Sequence, residues 1–135
     1  MLADLSGKTA IITGGGQGLG FGISTKMAQQ GANLIITDID DRNKSAISDL
    51  ASKYDIKYLY IEMNVTDQSQ VENGINEALE FSDVDILVNN AGVAGAPGST
   101  GTVWRDEDWD FTWEVNVKGL HRVTEAVLPH MIEKQ

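Results

Sequence analysis

Short apolar runs rich in branched residues alternate along the chain with longer amphipathic stretches. Thr9-Ala10-Ile11-Ile12-Thr13, Leu34-Ile35-Ile36-Thr37 and Asp85-Ile86-Leu87-Val88 are of the first kind. Runs this short and continuous suit parallel strands buried on both faces. Lys57-Tyr58-Leu59-Tyr60-Ile61 is a fourth run, with more polar surroundings, as at a sheet edge. Between the runs lie helical periods. Leu19, Ile23 and Met27 recur every four residues, with Gly31 placed as a C-cap. Asp41 to Lys53 predicts a second helix carrying Ala46, Ile47, Leu50 and Ala51. Val71, Ile75, Ala78 and Leu79 line a third, with Thr66 or Asp67 as N-cap. The order β-α-β-α-β-α-β implies parallel pairing with right-handed crossovers. The expected fold is therefore α/β, a Rossmann-type doubly wound parallel sheet cut short, with strand order 3-2-1-4 and flanking helices.

After the fourth strand, Gly92 to Thr102 is rich in glycine and small residues and reads as a mobile loop. Asp106-Glu107-Asp108 then opens a helix whose N-terminus suits negative charge. Trp109 and Trp113 on it read as packing residues. Leu120, Val123, Val127 and Met131 mark the face of a last helix, which Pro129 is expected to kink or end.

The chain of 135 residues has room for one domain, and its 41% hydrophobic content is ordinary. No apolar run nears the roughly eighteen residues of a membrane span, and the N-terminus lacks the pattern of a secretory signal. There is no cysteine, which removes disulfides and thiolate metal sites and fits a cytoplasmic protein. A net charge of -10 repels a phosphate backbone, so nucleic acid is a poor partner. His121 and His130 lie on one helix with nothing nearby to complete a metal set and read as surface or interface residues.

Three motifs carry the chemistry. Thr13-Gly14-Gly15-Gly16-Gln17-Gly18-Leu19-Gly20 follows a strand and opens a helix. Glycines there permit a tight turn, close approach of a pyrophosphate and close helix–sheet packing, while the helix N-terminus favours the phosphates. The spacing Gly-x-x-x-Gly-x-Gly differs from the commonest dinucleotide fingerprint, and no Gly-Lys-Ser/Thr follows to make a triphosphate loop. Asp38 ends the second strand, where a carboxylate accepts from ribose hydroxyls and repels a 2′-phosphate, or else caps the next helix. Ile39 adds no positive charge, and Arg42 is the nearby cation. Asn89-Asn90-Ala91-Gly92 ends the fourth strand, where open parallel sheets bind ligands.

Thr13 to Gly20, Asp38, Asn64-Val65, Asn89 to Gly92 and Asn116 fall in the order and spacing of the short-chain dehydrogenase/reductase family, which the whole chain resembles over about half of a full member. The resemblance implies that Gly14, Gly18 and Gly20 form the pyrophosphate turn, with Gln17 and Leu19 beside it. It implies that Asp38, with Ile39 next to it, holds the adenosine ribose, that Asn64 and Val65 contact adenine, and that Asn90, Ala91 and Gly92 lie against the nicotinamide half. The family usually has Asp where this chain has Asn64, whose carbonyl can still accept from the adenine amino group. Asn116 resembles the catalytic Asn that kinks a helix and holds a water of the proton relay. The implied cofactor is NAD, the implied substrate a small alcohol or carbonyl compound, and the implied assembly of the complete protein a homo-oligomer.

The family also uses a Ser and a Tyr-x-x-x-Lys. Tyr54, Tyr58 and Tyr60 are followed four residues on by Tyr58, Glu62 and Asn64, so the pair is not in this chain. Residues 1–135 thus read as the dinucleotide-binding half of one Rossmann domain, with the catalytic half lying beyond Gln135. Such a half is expected to be inactive alone and, with its fourth strand and last-helix face uncovered, to self-associate. Two other readings fit the residues. One is a dinucleotide-binding module without chemistry. The other is a methyltransferase using S-adenosylmethionine, against which Asn89 to Gly92 and Asn116 argue.

Overall fold

The computed structural model describes residues 3–135. Its elements run β1 (Thr9–Thr13), α1 (Gly18–Gln29), β2 (Asn33–Asp38), α2 (Lys44–Tyr54), β3 (Tyr58–Glu62), α3 (Gln68–Phe81), β4 (Ile86–Val88), α4 (Asp106–Trp113), a π-helical stretch Glu114–Gly119, and α5 (Leu120–Glu133). The strands form one parallel sheet in the order β3-β2-β1-β4. Ile11 sits opposite Ile35 and Leu87, and Ile35 opposite Leu59.

Successive strand residues point to opposite faces, which divides the core in two. Ile11, Ile35 and Ile61 pack with Val71, Ile75, Val123 and Val127 of α3 and α5. Ile12, Leu34 and Ile36 pack on the other face with Ala28, Ile47 and Leu50 of α1 and α2. Fully burying each such Ile, Leu or Val contributes roughly 1.5–3 kcal/mol, which is why the continuous runs of β1 and β2 become central strands. β4 is the exception: its residues stay half-buried because it lies at the sheet edge, so its run does not mark a strand covered on both faces.

Several helix faces differ from expectation. α1 does not bury Leu19, which is 79% exposed, but Gly20, Ser24 and Ala28. Small residues let this helix lie close to the glycine turn, and Ser24 Oγ donates to the carbonyls of Gly15 (2.9 Å) and Gly20 (3.0 Å). Ile23 and Met27 pack only partly. Asp67 is the N-cap of α3 and accepts from the Gln70 N–H at 3.0 Å. α5 runs through Pro129 without ending there. It buries Val123 and Val127 completely, while Leu120 is exposed and Met131 only partly packed. Trp109 and Trp113 are 63% and 58% exposed rather than in the core, because α4 turns Asp108, Phe111 and Thr112 inward instead. Trp104 and Trp109 meet edge to face, ring centres 4.9 Å apart. Among the described residues no helix is long and apolar enough to cross a membrane, and no group of three side chains is placed to hold a metal ion.

Candidate functional site

A cleft of about 490 Å³ opens along the carboxyl ends of the strands. Gly14, Gln17, Leu19, Gly20, Asp38, Ile39, Asn64, Val65, Asn90, Ala91 and Gly92 all line it. Two singled-out residues do not. Gly18 opens α1 at φ +54°, facing solvent, and Asn116 stands behind the wall. The sequence reading missed Thr37, Met63, Val93, Phe111 and Val115 in the lining. Each is the neighbour of a motif or an apolar residue of a helix, with no polar signature of its own.

The glycine turn is held by the sheet. Gly14 has φ +63°, a left-handed conformation that favours glycine, and a Cβ there would press on Ala91 and Asn90 at 3.1 Å. At Gly20 a Cβ would lie 2.0 Å from the Gly14 carbonyl oxygen. The end of β4 is bolted to this turn: Thr13 Oγ1 accepts from the Asn90 and Ala91 N–H groups, both at 3.0 Å. Asn90 Nδ2 donates to the carbonyls of Thr13 (3.0 Å) and Gly14 (3.1 Å), so its amide protons are used inside the protein. α1 begins after Gln17 with no side-chain cap and no acidic residue in its first turn. Its first amides therefore lack intrahelical acceptors and face a positive helix end without a resident anion.

Asp38 is 8% exposed, and its carboxylate faces the cleft. Oδ2 accepts from the Gly16 N–H at 3.1 Å and Oδ1 from the Ile39 N–H at 2.8 Å. Each oxygen keeps lone-pair capacity for a hydroxyl. Asp38 does not cap α2, which starts at Lys44 after Asn43. Arg42 is turned into a local pair: its Nε lies 2.9 Å from both carboxylate oxygens of Asp40, and Nη2 2.7 Å from Oδ2. Asp40 thereby engages the Arg42 guanidinium next to Asp38. Tyr60 donates to the Asp40 carbonyl at 2.8 Å. Burial, and then the carboxylates of Asp38, Asp40, Asp41 and Glu62, push its phenol up to about 12.

The loop after β4 is clasped along its first half. Asn116 Oδ1 accepts from the Val93 N–H (2.8 Å) and Nδ2 donates to the Val93 carbonyl (2.9 Å). Thr112 Oγ1 accepts from the Gly95 N–H and Asp108 Oδ1 from the Ala96 N–H, both at 3.0 Å. Asp108 Oδ2 also accepts from the Arg105 N–H at 2.9 Å, and these backbone donors hold its carboxyl below the ordinary carboxylate value. Asp108, Thr112 and Asn116 are four apart on one helical face, a polar stripe turned toward the loop. Asn116 thus shapes the wall through Val93, which both ends of its side-chain amide bond. The π-helical turn around it is the local irregularity that lets the helix follow the loop.

Residues 8–135 match the family model of the short chain dehydrogenases. The chain belongs to the short-chain dehydrogenase/reductase family. Oxidoreductase UcpA of Escherichia coli is 40% identical over 135 residues, which is 99% of this chain and 50% of that protein. 3-oxoacyl-(acyl-carrier-protein) reductase FabG of Thermotoga maritima is 33% identical over 132 residues, 97% of this chain and 53% of that protein. Among solved structures, L-sorbose reductase from Gluconobacter frateurii, complexed with NADPH and L-sorbose, superposes with a TM-score of 0.85. It is 31% identical and is matched over 99% of this chain and 51% of its own. The chain spans about half the length of the curated relatives it matches. Family membership removes the methyltransferase reading, and the family binds nicotinamide cofactors.

The cleft fits such a group on its own geometry. Gly14 and Gly20 let the turn pack directly against Asn90 and Ala91, the uncapped start of α1 offers donors, and Asp38 offers acceptors next door.

Proposed function

We propose that the cleft binds NAD in preference to NADP and that the complete protein interconverts a secondary alcohol and a carbonyl in a small molecule. A bound nicotinamide supplies the hydride acceptor or donor. The residues of this chain bind and orient. The first-turn amides of α1, with Gly14, Gln17, Leu19 and Gly20 around them, take the pyrophosphate. Asp38, beside Ile39, accepts from the adenosine ribose hydroxyls. Asn64 and Val65 border the base, and Asn90, Ala91 and Gly92 border the nicotinamide half. Asn116 acts as a positioning residue, holding Val93 and so the wall beside that half. Residues 1–135 form the dinucleotide-binding part of one domain. The exposed apolar side chains Trp113, Val117, Leu120, Leu128 and Ile132 support a homo-oligomer for the complete protein.

The observation that carries the NAD preference is the buried Asp38 carboxylate with Arg42 already paired to Asp40. A 2′-phosphate would meet a like charge with no free cation beside it. At a separation of about 4 Å and an effective dielectric near 20, one unit charge against another costs roughly 4 kcal/mol. Solvent in the open cleft reduces this, so the expected penalty is about 1–3 kcal/mol, or roughly tenfold to a hundredfold in affinity. Calorimetric titration of the purified chain with each dinucleotide measures it. NAD is expected to bind at least about tenfold tighter. Equal or tighter binding of NADP would contradict the reading and make Arg42 a phosphate ligand.

A further inference from the structure

Residues Ile39 to Asn43 join β2 to α2 and come back against the glycine turn. A Cβ at Gly16 would lie 2.9 Å from both Asp38 Oδ2 and Tyr60 Oη, and 3.3 Å from Asn43 Cβ. The far end of this connection therefore packs beside the carboxylate proposed for the ribose. Tyr60 reaches it from β3, is buried, and donates to the Asp40 carbonyl, which anchors the backbone there. On that anchored backbone the Asp40 side chain closes on Arg42. Oδ1 accepts from the Arg42 N–H at 3.1 Å, and both oxygens lie against the guanidinium. The Arg42 side chain is 72% exposed, so packing does not hold it. Among the described residues its guanidinium bonds Asp40 alone. Its pKa is raised by Asp40 first and then by the charge of Asp38, which places Arg42 within the field of the ribose carboxylate.

We propose that Arg42 is a masked ligand for a 2′-phosphate and that Asp40 is the mask, a positioning residue that sets cofactor selectivity without touching the cofactor. The inference rests on the proposed cofactor site and deepens it. Asp38 opposes the phosphate by direct repulsion. Asp40 acts differently, by occupying the guanidinium that would otherwise compensate the phosphate charge. A guanidinium matches phosphate oxygens as well as carboxylate oxygens, in a forked, charge-assisted contact. Asp40 stands two residues away and is always present, whereas a phosphate must compete for the fork. Asp40→Asn is the isosteric release. Its amide oxygen still accepts from the Arg42 N–H, and the Tyr60 bond goes to the backbone, so the turn keeps its shape. The charge that holds the guanidinium is lost.

The test measures dissociation constants of NAD and NADP by calorimetry at low ionic strength. The samples are the unaltered chain, Asp40→Asn, Arg42→Ala and the double variant. The ratio of two constants within one sample does not depend on the folded fraction. In Asp40→Asn the ratio is expected to move toward NADP by about five- to tenfold, the span of one exposed charge-assisted contact. In the double variant no more than about a twofold move should remain, the effect of deleting one solvent-screened charge. Arg42→Ala alone should not move the ratio toward NADP. A ratio that Asp40→Asn leaves unmoved, or a gain that persists in full without Arg42, overturns the inference and leaves the cofactor site standing. Equal binding of both dinucleotides by the unaltered chain, or binding of neither, overturns the NAD reading and the mask together.

Discussion

Gly20→Ala is expected to abolish measurable dinucleotide binding and to lower the melting temperature. The new Cβ would stand 2.0 Å from the Gly14 carbonyl oxygen, 2.5 Å from Asn90 Nδ2 and 2.8 Å from the Gly14 carbonyl carbon. Two of these are backbone atoms of the turn, so no side-chain rotation relieves the contact. Ala is favoured over Gly inside a helix by about 1 kcal/mol, which opposes the effect. Overpacking against a fixed backbone costs roughly 1–3 kcal/mol or more, so the clash wins. The turn must shift by the better part of an ångström, and it is the turn that would hold the pyrophosphate. Loss of affinity by more than about a hundredfold is expected from such a displacement. Gly22→Ala is the control on the same helix: a Cβ there meets nothing within 4 Å, so it should bind normally and melt no lower. Thermal melting by circular dichroism and calorimetric titration of both variants decide the matter. Normal binding by Gly20→Ala would mean that the glycine turn does not approach the ligand.

The second large effect is an absence of turnover. Incubated with NAD and a panel of secondary alcohols, the 135-residue chain is expected to produce NADH no faster than buffer. A positioned general acid/base contributes about a hundredfold to ten-thousandfold, and it must titrate near the working pH. No tyrosine here has a lysine four residues on. Tyr60, the one that lies against the Asp38 region, is pushed up to about 12 and spends its proton on the Asp40 carbonyl. A steady rate that survives further purification and is lost in Asn116→Ala would show that another residue set completes the chemistry.

The strand core was legible because Ile11-Ile12 and Ile35-Ile36 are β-branched, continuous and flanked by turn residues. Asp38 was legible because a lone carboxylate ending such a run sits where a parallel sheet binds ligands. The face of α1 was not, because periodicity weighs large apolar side chains. A helix that must approach a glycine turn packs through Gly20, Ser24 and Ala28 and leaves Leu19 outside. Trp109 and Trp113 misled for a related reason: aromatic bulk suggests a core, yet α4 spends its inward face on Asp108, Phe111 and Thr112. Asp108 is 1% exposed and Thr112 half-buried. Their role follows from the path of the loop at Gly95 and Ala96, which no local pattern encodes. The spacing of four from Asp108 through Thr112 to Asn116 was the available clue. Asn116 was found by resemblance, but only the fold shows that its amide is closed on Val93 and that its influence on the cleft passes through that backbone.

The central claim is that one cleft, running from Asn64 past Asp38 and the glycine turn to Gly92, holds a single dinucleotide. At 14.6 kDa the chain suits amide chemical-shift mapping during titration with NAD. The expected result is saturable shifts of the amides of Gly14 to Gly20, Asp38, Ile39, Asn64, Val65 and Asn90 to Val93, all with one binding constant. The amides of Asp49 to Lys53, in the C-terminal half of α2 and outside the cleft lining, should stay still. Unmoved signals at Asp38 and in the glycine turn under saturating NAD, or shifts confined to another surface, would contradict the account.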